Sequence, residues 1–205
     1  MKQTIARKLI LSMDMSFDGI VAADNDEAGQ KTNATDTDTN TDQSVDNSDE
    51  LWNQMFNDLQ SVDTILAGGG MNPLYFDHWR AQLTNPTADP NEVKYAKWAW
   101  QVPHIVFSKT QQKVDWPNSC IATDPDTEIA KLKQQPGKDI LTWGGATFAN
   151  YLITKGLIDE YNIRVSPKIL GRGKALFHNI QDKRNLTLID VRQLRSGTVM
   201  LRYKV

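Results

Sequence analysis

The sequence predicts a three-layer α/β domain with a mixed, mostly parallel sheet and an antiparallel hairpin at its C-terminal end. Two observations carry this expectation. Short apolar runs of strand length alternate with stretches at helical spacing through the first four-fifths of the chain, and 186–203 alternates in polarity about one glycine turn. At 205 residues with 40% hydrophobic composition, one domain around a real core is expected over the whole chain, apart from a polar insertion at about 24–48.

The elements follow in order. Arg7–Met15 reads as the first strand, and Ser16–Ala22 as a turn with a short extension. The segment from Asp24 to Asp49 is rich in Thr, Asp and Asn. It lacks the apolar surface needed to offset its ordering entropy, so a mobile loop is expected there. Ser48-Asp49-Glu50 opens a helix carried by Leu51, Trp52, Met55, Phe56 and Leu59. Thr64–Ala67 is a buried strand that runs into Gly68-Gly69-Gly70, with a helix from Asn72 to about Arg80. Asn91 is expected to cap a helix to about Trp100, before a strand at Ile105–Ser108. A helix over Asp126–Gln134 stops at Pro136-Gly137. The strand Ile140–Trp143 leads through Gly144-Gly145 into a helix over Ala146–Lys155, which Gly156 closes. Glu160–Val165 is a further strand, and Leu186–Leu194 with Thr198–Tyr203 forms the hairpin.

Composition narrows the function. No apolar run approaches the ~20 residues of a membrane span, and the N-terminal apolar stretch meets Asp14 too soon for a secretion signal. Cys120 is the single cysteine, so no internal disulfide forms and the cytoplasm is the expected compartment. Its place at a strand start suggests a buried, inert thiol. His78, His104 and His178 lack ligand spacing, so no metal site is expected. Residues 24–50 hold nine acids against one base, which leaves a net +6 on the rest of the chain. A basic body favours a polyanionic small ligand. The bases are scattered along strands and are not clustered among aromatics, which argues against nucleic acid.

Open α/β sheets place ligands beyond the carboxyl ends of their parallel strands. Four loops are expected on that edge: Ser16-Phe17-Asp18-Gly19, Gly68-Gly69-Gly70-Met71, Ser108-Lys109-Thr110 and Gly144-Gly145-Ala146-Thr147. The glycine pair before a helix N-terminus suits a phosphate, because the backbone can come close and unpaired N–H groups point outward. Ser108-Lys109-Thr110 offers two hydroxyls and an ammonium, a set that suits a 2′-phosphate on adenosine. Asp18 is the candidate proton handler. Trp143 precedes the glycine pair and is the aromatic best placed to line a cleft.

These residues resemble the dihydrofolate reductase-like family that includes the reductase domain of bacterial riboflavin biosynthesis, and more narrowly its small stand-alone bacterial members. The resemblance is carried by Lys8–Ala22, Val106–Thr110, Lys131–Ala146, Gly156–Tyr161 and Pro167–Phe177. It implies the dihydrofolate reductase-like fold and NADPH as cofactor. By that resemblance Gly144, Gly145, Ala146 and Thr147 cradle the pyrophosphate, with Trp143 before them also on the cofactor side and Ser108, Lys109 and Thr110 at the adenosine end. Asp18, Gly19 and Trp52 lie on the nicotinamide or substrate side, and the loop Leu170-Gly171-Arg172-Gly173 closes near the same pocket. Many relatives pair, so a homodimer is also implied.

One departure bears on the cofactor. Stand-alone relatives carry a Gly-Arg-Arg-Thr type of sequence after the second strand, where this chain has Gly68-Gly69-Gly70-Met71. The charged donors to phosphate are gone, each worth roughly 1.5–3 kcal/mol. Backbone N–H groups of the glycines remain. The leading expectation is an NADPH-dependent reductase that passes hydride to a small heterocyclic or carbonyl substrate. The alternative is a non-catalytic nucleotide-binding protein that keeps the fold. Preference between NADP and NAD is left open.

Overall fold

The computed structural model of the chain describes residues 6–22, 47–71 and 74–205, with Asn47 and Ser48 described by their backbone. The loop expected at 24–48 lies outside the described residues, except at the last two positions, which are helical. Asn72, the expected start of the second helix, also lies outside them. The elements are β1 (Leu9–Ser16), β2 (Ile20–Ala22), α1 (Asn47–Leu59), β3 (Val62–Gly68), a 3-10 turn (Gly69–Met71), α2 (Leu74–Gln82) and α3 (Pro90–Gln101). They continue with β4 (His104–Phe107), β5 (Ser119–Ala122), α4 (Pro125–Gln134), β6 (Asp139–Thr142), α5 (Ala146–Lys155), β7 (Glu160–Ser166), β8 (Lys174–Ala175), β9 (Thr187–Gln193) and β10 (Val199–Lys204). The result is an α/β protein with a mixed, mostly parallel sheet and antiparallel C-terminal strands, as expected. It divides into two compact units, Met1–Leu9 with Trp52–Gly145, and Ile10–Leu51 with Ala146–Val205.

In the first unit the strand order is β5-β4-β3-β6, all parallel. Parallel strands buried on both faces read as continuous apolar runs. Ile65, Leu66 and Ala67 of β3 and all four residues of β4 are buried accordingly. Helices α3 and α4 each start on an Asp-Pro pair. Asp89 accepts a hydrogen bond from the Asn91 amide at 2.7 Å, so the cap is Asp89 and not Asn91 as the sequence suggested. Proline fits the first helical position because it has no N–H to satisfy there. Asp124 caps α4 in the same way. Buried Arg7 ties the lead-in of β1 to this unit, with an ion pair to Asp63 and a bond to the Lys138 carbonyl at 2.5 Å. Cys120 corrects an expectation: β5 is an edge strand, and its thiol is exposed. Partial burial and Glu128 nonetheless raise its pKa, which disfavours the thiolate.

The second unit pairs β1 with β7 in parallel, then β7 with β10 and β10 with β9 antiparallel. The Arg164 guanidinium grips the Asp14 carboxylate across β1 and β7 with two bonds of 2.5 and 2.6 Å. Helix α5 ends where Gly156 adopts φ 70°, with Leu157 N–H donating to the Leu152 carbonyl at 3.0 Å. A residue with a β-carbon is disfavoured at that angle. The small pair β2–β8, of which the sequence suggested only the first strand, lies beside the turn after β1.

Candidate functional site

Because β3, β4 and β6 are parallel neighbours, their carboxyl ends face the same way. The loops Gly68–Met71, Ser108–Thr110 and Trp143–Gly145 therefore leave one edge of the first unit side by side. They also touch. A β-carbon at Gly69 would lie 2.9 Å from the Ser108 Cβ and 3.2 Å from the Phe107 carbonyl oxygen, so only glycine fits. The Gln111 amide donates to the Gly69 carbonyl at 3.1 Å. At Gly145 a β-carbon would lie 3.4 Å from the Met71 Cγ. Gly144 and Gly145 hold φ values of 111° and 34°, and glycine alone adopts the first without cost. Gly70 differs from these: a β-carbon there would meet nothing within 4 Å. Ala146 and Thr147 come next along the chain and form the first turn of α5, where backbone N–H groups have no partner within a helix.

Ser108 turns its hydroxyl inward to its own loop. It accepts from the Thr110 N–H at 3.3 Å and the Gln111 N–H at 3.0 Å. Those two amides are thus occupied by the loop, while the exposed Lys109 and Thr110 remain able to meet a ligand. Lys109 is the only charged residue in the three loops.

Behind them stands an aromatic cluster. Trp52 stacks on Phe56 with centroids 5.7 Å apart and leans on Tyr95 at 6.3 Å, and Tyr95 meets Trp143 edge-on at 6.1 Å. Trp52 and Trp143, both singled out from the sequence, are thereby joined through Tyr95. Tyr95 in turn lies 2.7 Å from the Tyr75 hydroxyl, which is 3.3 Å from His104 Nε2. Burial pushes both phenols well above their ordinary pKa and pulls His104 down to about 4, so all three stay neutral at pH 7. At the end of β6, Thr142 Oγ1 and Trp143 Nε1 are buried without a hydrogen-bond partner. The sequence did not single out Tyr75, Tyr95 or Thr142, and His104 was weighed only as a metal ligand. The one available signal was a strand of threonine and tryptophan that ends in two glycines.

In the second unit the turn after β1 meets the loop after β7. Asp18 is exposed, and its carboxylate accepts from the Ser16 hydroxyl at 2.5 Å, the Leu170 N–H at 3.1 Å and the Gly171 N–H at 2.7 Å. These donors hold its pKa down to about 2, the Ser16 bond being the largest cause. The Phe17 N–H also donates to the Lys168 carbonyl at 2.7 Å, and the Leu176 N–H to the Gly19 carbonyl at 2.9 Å. Asp18, Gly19, Leu170 and Gly171 thus form one clamp. A carboxylate so stabilised is an anchor for two loops and a poor proton donor near pH 7. Among the described residues no group of three or more His, Cys, Asp or Glu gathers as a metal site, and no helix is long and apolar enough to cross a membrane.

Residues 7–200 match the family model described as the RibD C-terminal domain. A protein of Bacillus subtilis (strain 168), YyaP, is 36% identical over 149 residues, which cover 71% of this chain and 75% of that protein. Among solved structures, a riboflavin-biosynthesis-type protein of Shewanella sp. PV-4 superposes with a TM-score of 0.66 at 19% identity over 96% of this chain and 98% of the other. A diaminohydroxyphosphoribosylaminopyrimidine deaminase/5-amino-6-(5-phosphoribosylamino)uracil reductase of Thermotoga maritima gives 0.61 at 14% identity. That likeness covers 97% of this chain and 56% of the longer protein, so the chain spans about half its length. At such identities the structural likeness shows the fold.

Proposed function

The chain belongs to the RibD C-terminal domain family, and from that premise we propose that it is an NADPH-dependent reductase acting on a small heterocyclic or carbonyl substrate. The observation that carries this reading is the meeting of three loops at the carboxyl ends of β3, β4 and β6 around a bare glycine turn. The residues present suit a dinucleotide. The open side of Gly70 and the positive φ of Gly144 and Gly145 let a pyrophosphate approach the backbone. The unpartnered Trp143 Nε1 and Thr142 Oγ1 lie directly before that turn.

In this reading Gly144, Gly145, Ala146 and Thr147 receive the pyrophosphate, with Gly68, Gly69, Gly70 and Met71 beside it. Lys109 and the Thr110 hydroxyl serve the adenosine end, and Ser108 shapes their loop. NADPH, when bound, supplies the hydride. Trp52, Gly19, Leu170 and Gly171 serve the substrate, and Asp18 is a positioning residue that fixes the Leu170–Gly171 backbone. We read the chain as one cytoplasmic reductase domain. A homodimer through the edge strand β9 is supported by the exposed side chains of Leu188, Ile189 and Val191.

The test is a turnover screen that follows loss of reduced nicotinamide against pyrimidine, pterin and simple carbonyl substrates. Substrate-dependent oxidation of NADPH is expected. Tight binding of NADPH with no turnover on any substrate class would favour the non-catalytic alternative.

A further inference from the structure

We propose that Met71 controls access to the glycine turn: its thioether is a movable cover that a phosphate-bearing ligand must turn aside. This inference rests on the nucleotide reading above. Its basis is local to the first unit. On the side where Gly145 lacks a β-carbon, the space is taken by Met71, with Cγ at 3.4 Å and Sδ at 3.9 Å from the β-carbon position. Gly145 thus leaves its backbone bare, and Met71 fills the room so created. The neighbouring glycines divide the work. Gly69 is pinned against Ser108 and the Phe107 carbonyl, whereas Gly70 has nothing within 4 Å. Met71 accordingly hangs from a turn fixed on one side and open on the other. Methionine suits a cover, because three rotatable bonds and a polarizable sulfur let it repack at small cost.

The chemistry of the cover predicts its effect. A thioether offers no hydrogen-bond donor to a phosphate. Held against the Gly145 β-carbon position, it occupies room beside the turn and returns nothing when a charged group arrives. Lys109, the one cation of the three loops, sits on a different loop. The cover therefore lowers affinity for every ligand that places a phosphate on this turn, whether or not it carries a 2′-phosphate. Discrimination between NADPH and NADH is left to the Ser108–Thr110 loop.

The test measures binding of NADPH, NADH and ADP-ribose to the full chain by calorimetry, with association rates by stopped flow. Wild type, Met71→Ala, Met71→Gln and Met71→Leu are compared, and circular dichroism checks the fold of each. Met71→Ala is expected to bind all three ligands roughly three- to tenfold tighter, by a similar factor and mainly through faster association. Met71→Gln, which keeps the length and adds a donor, is expected to tighten binding through slower release, and Met71→Leu to stay within about twofold of wild type. Unchanged binding in Met71→Ala and Met71→Gln would overturn the proposal and leave the nucleotide reading standing. Weaker binding in Met71→Ala would also overturn it, since Met71 would then be a ligand contact. Failure of every variant and of wild type to bind any of the three ligands would remove the nucleotide reading itself, and the cover with it.

Discussion

The hydroxyls of Tyr75 and Tyr95 stand 2.7 Å apart, and His104 fixes the direction of the proton between them. His104 Nδ1 lies 2.7 Å from the Val102 carbonyl, which can only accept, so Nδ1 carries the hydrogen. Nε2 is then bare and accepts from Tyr75. With its proton so used, Tyr75 must accept from Tyr95. The Tyr95 ring meets the Trp143 indole edge-on at 6.1 Å. A directed chain thus runs from Tyr95 through Tyr75 to His104 at the start of β4.

Direction makes the two tyrosines unequal. Tyr75→Phe leaves His104 Nε2 without a donor and the Tyr95 hydroxyl without an acceptor, and is expected to cost about 2–3 kcal/mol in urea unfolding. Tyr95→Phe removes one donor from Tyr75 and is expected to cost about 1 kcal/mol. The double variant should cost little more than Tyr75→Phe alone, because the shared bond is lost only once. A larger loss for Tyr95→Phe would reverse the assigned direction.

His104 sets a pH dependence. It is fully buried, and its pKa falls from 6.5 to about 4 on folding, chiefly through loss of solvent. The unfolded chain therefore binds this proton below pH 6.5 while the native state does not. The stabilisation is complete above pH 6.5 and is lost as pH falls toward 4, by on the order of 3 kcal/mol. Urea midpoints at pH 7 and pH 4.5 measure it. Replacing His104 with Phe should flatten the slope in this window, and an unchanged slope would assign the effect to other groups.

Much of this frame was legible in the sequence, and the physics explains which parts. Strands β3, β4 and β6 declare themselves as short apolar runs because a parallel sheet buries both faces. Helix α5 is bounded as expected, since Gly144-Gly145 and Gly156 are conformational requirements at its two ends. The starts of α3 and α4 were placed one or two residues late: Asn91 looks as able to cap as Asp89, and a proline is easily read as lying outside the helix it opens. Long-range pairings were not legible. Nothing in Tyr75, Tyr95 or His104 as isolated residues announces a shared hydrogen-bond chain. The family resemblance set the Leu170–Gly173 loop near the Asp18 pocket, but not the bonds from the Leu170 and Gly171 amides to its carboxylate. Ser108 was legible as a polar loop residue, but not its inward turn.

The Asp18 clamp has its own signature. Asp18→Asn keeps the shape but removes the charge and one acceptor. Amide exchange at Leu170 and Gly171 should accelerate on the order of tenfold relative to wild type, with the β1–β7 ladder unaffected. Because the folded pKa is depressed, to about 2, the protection is full above the ordinary carboxylate value of 3.8 and fades as pH falls toward 2. Equal exchange in the variant and in wild type would remove the clamp from the account.

The adjacent glycines give a contrast within one turn. Gly69→Ala drives a β-carbon against Ser108 and the Phe107 backbone and should cost about 1–3 kcal/mol. Gly70→Ala meets open space and should be neutral or stabilising by up to about 1 kcal/mol, through a less flexible unfolded chain. Thermal unfolding of the two variants side by side decides the point, and equal losses would mean that the turn is not pinned at Gly69.

Nucleotide binding at the glycine turn is tested most simply by a titration of the full chain with NADPH and NADH, followed by tryptophan quenching and energy transfer to the nicotinamide. Trp143 and Trp52, joined through Tyr95, are the expected reporters. NADPH is expected to bind at micromolar concentration, and this binding is expected to be lost in Gly145→Asp, which sets a carboxylate at the turn that receives the phosphates. No quenching by either nucleotide up to millimolar concentration, or quenching unchanged in Gly145→Asp, would contradict this expectation.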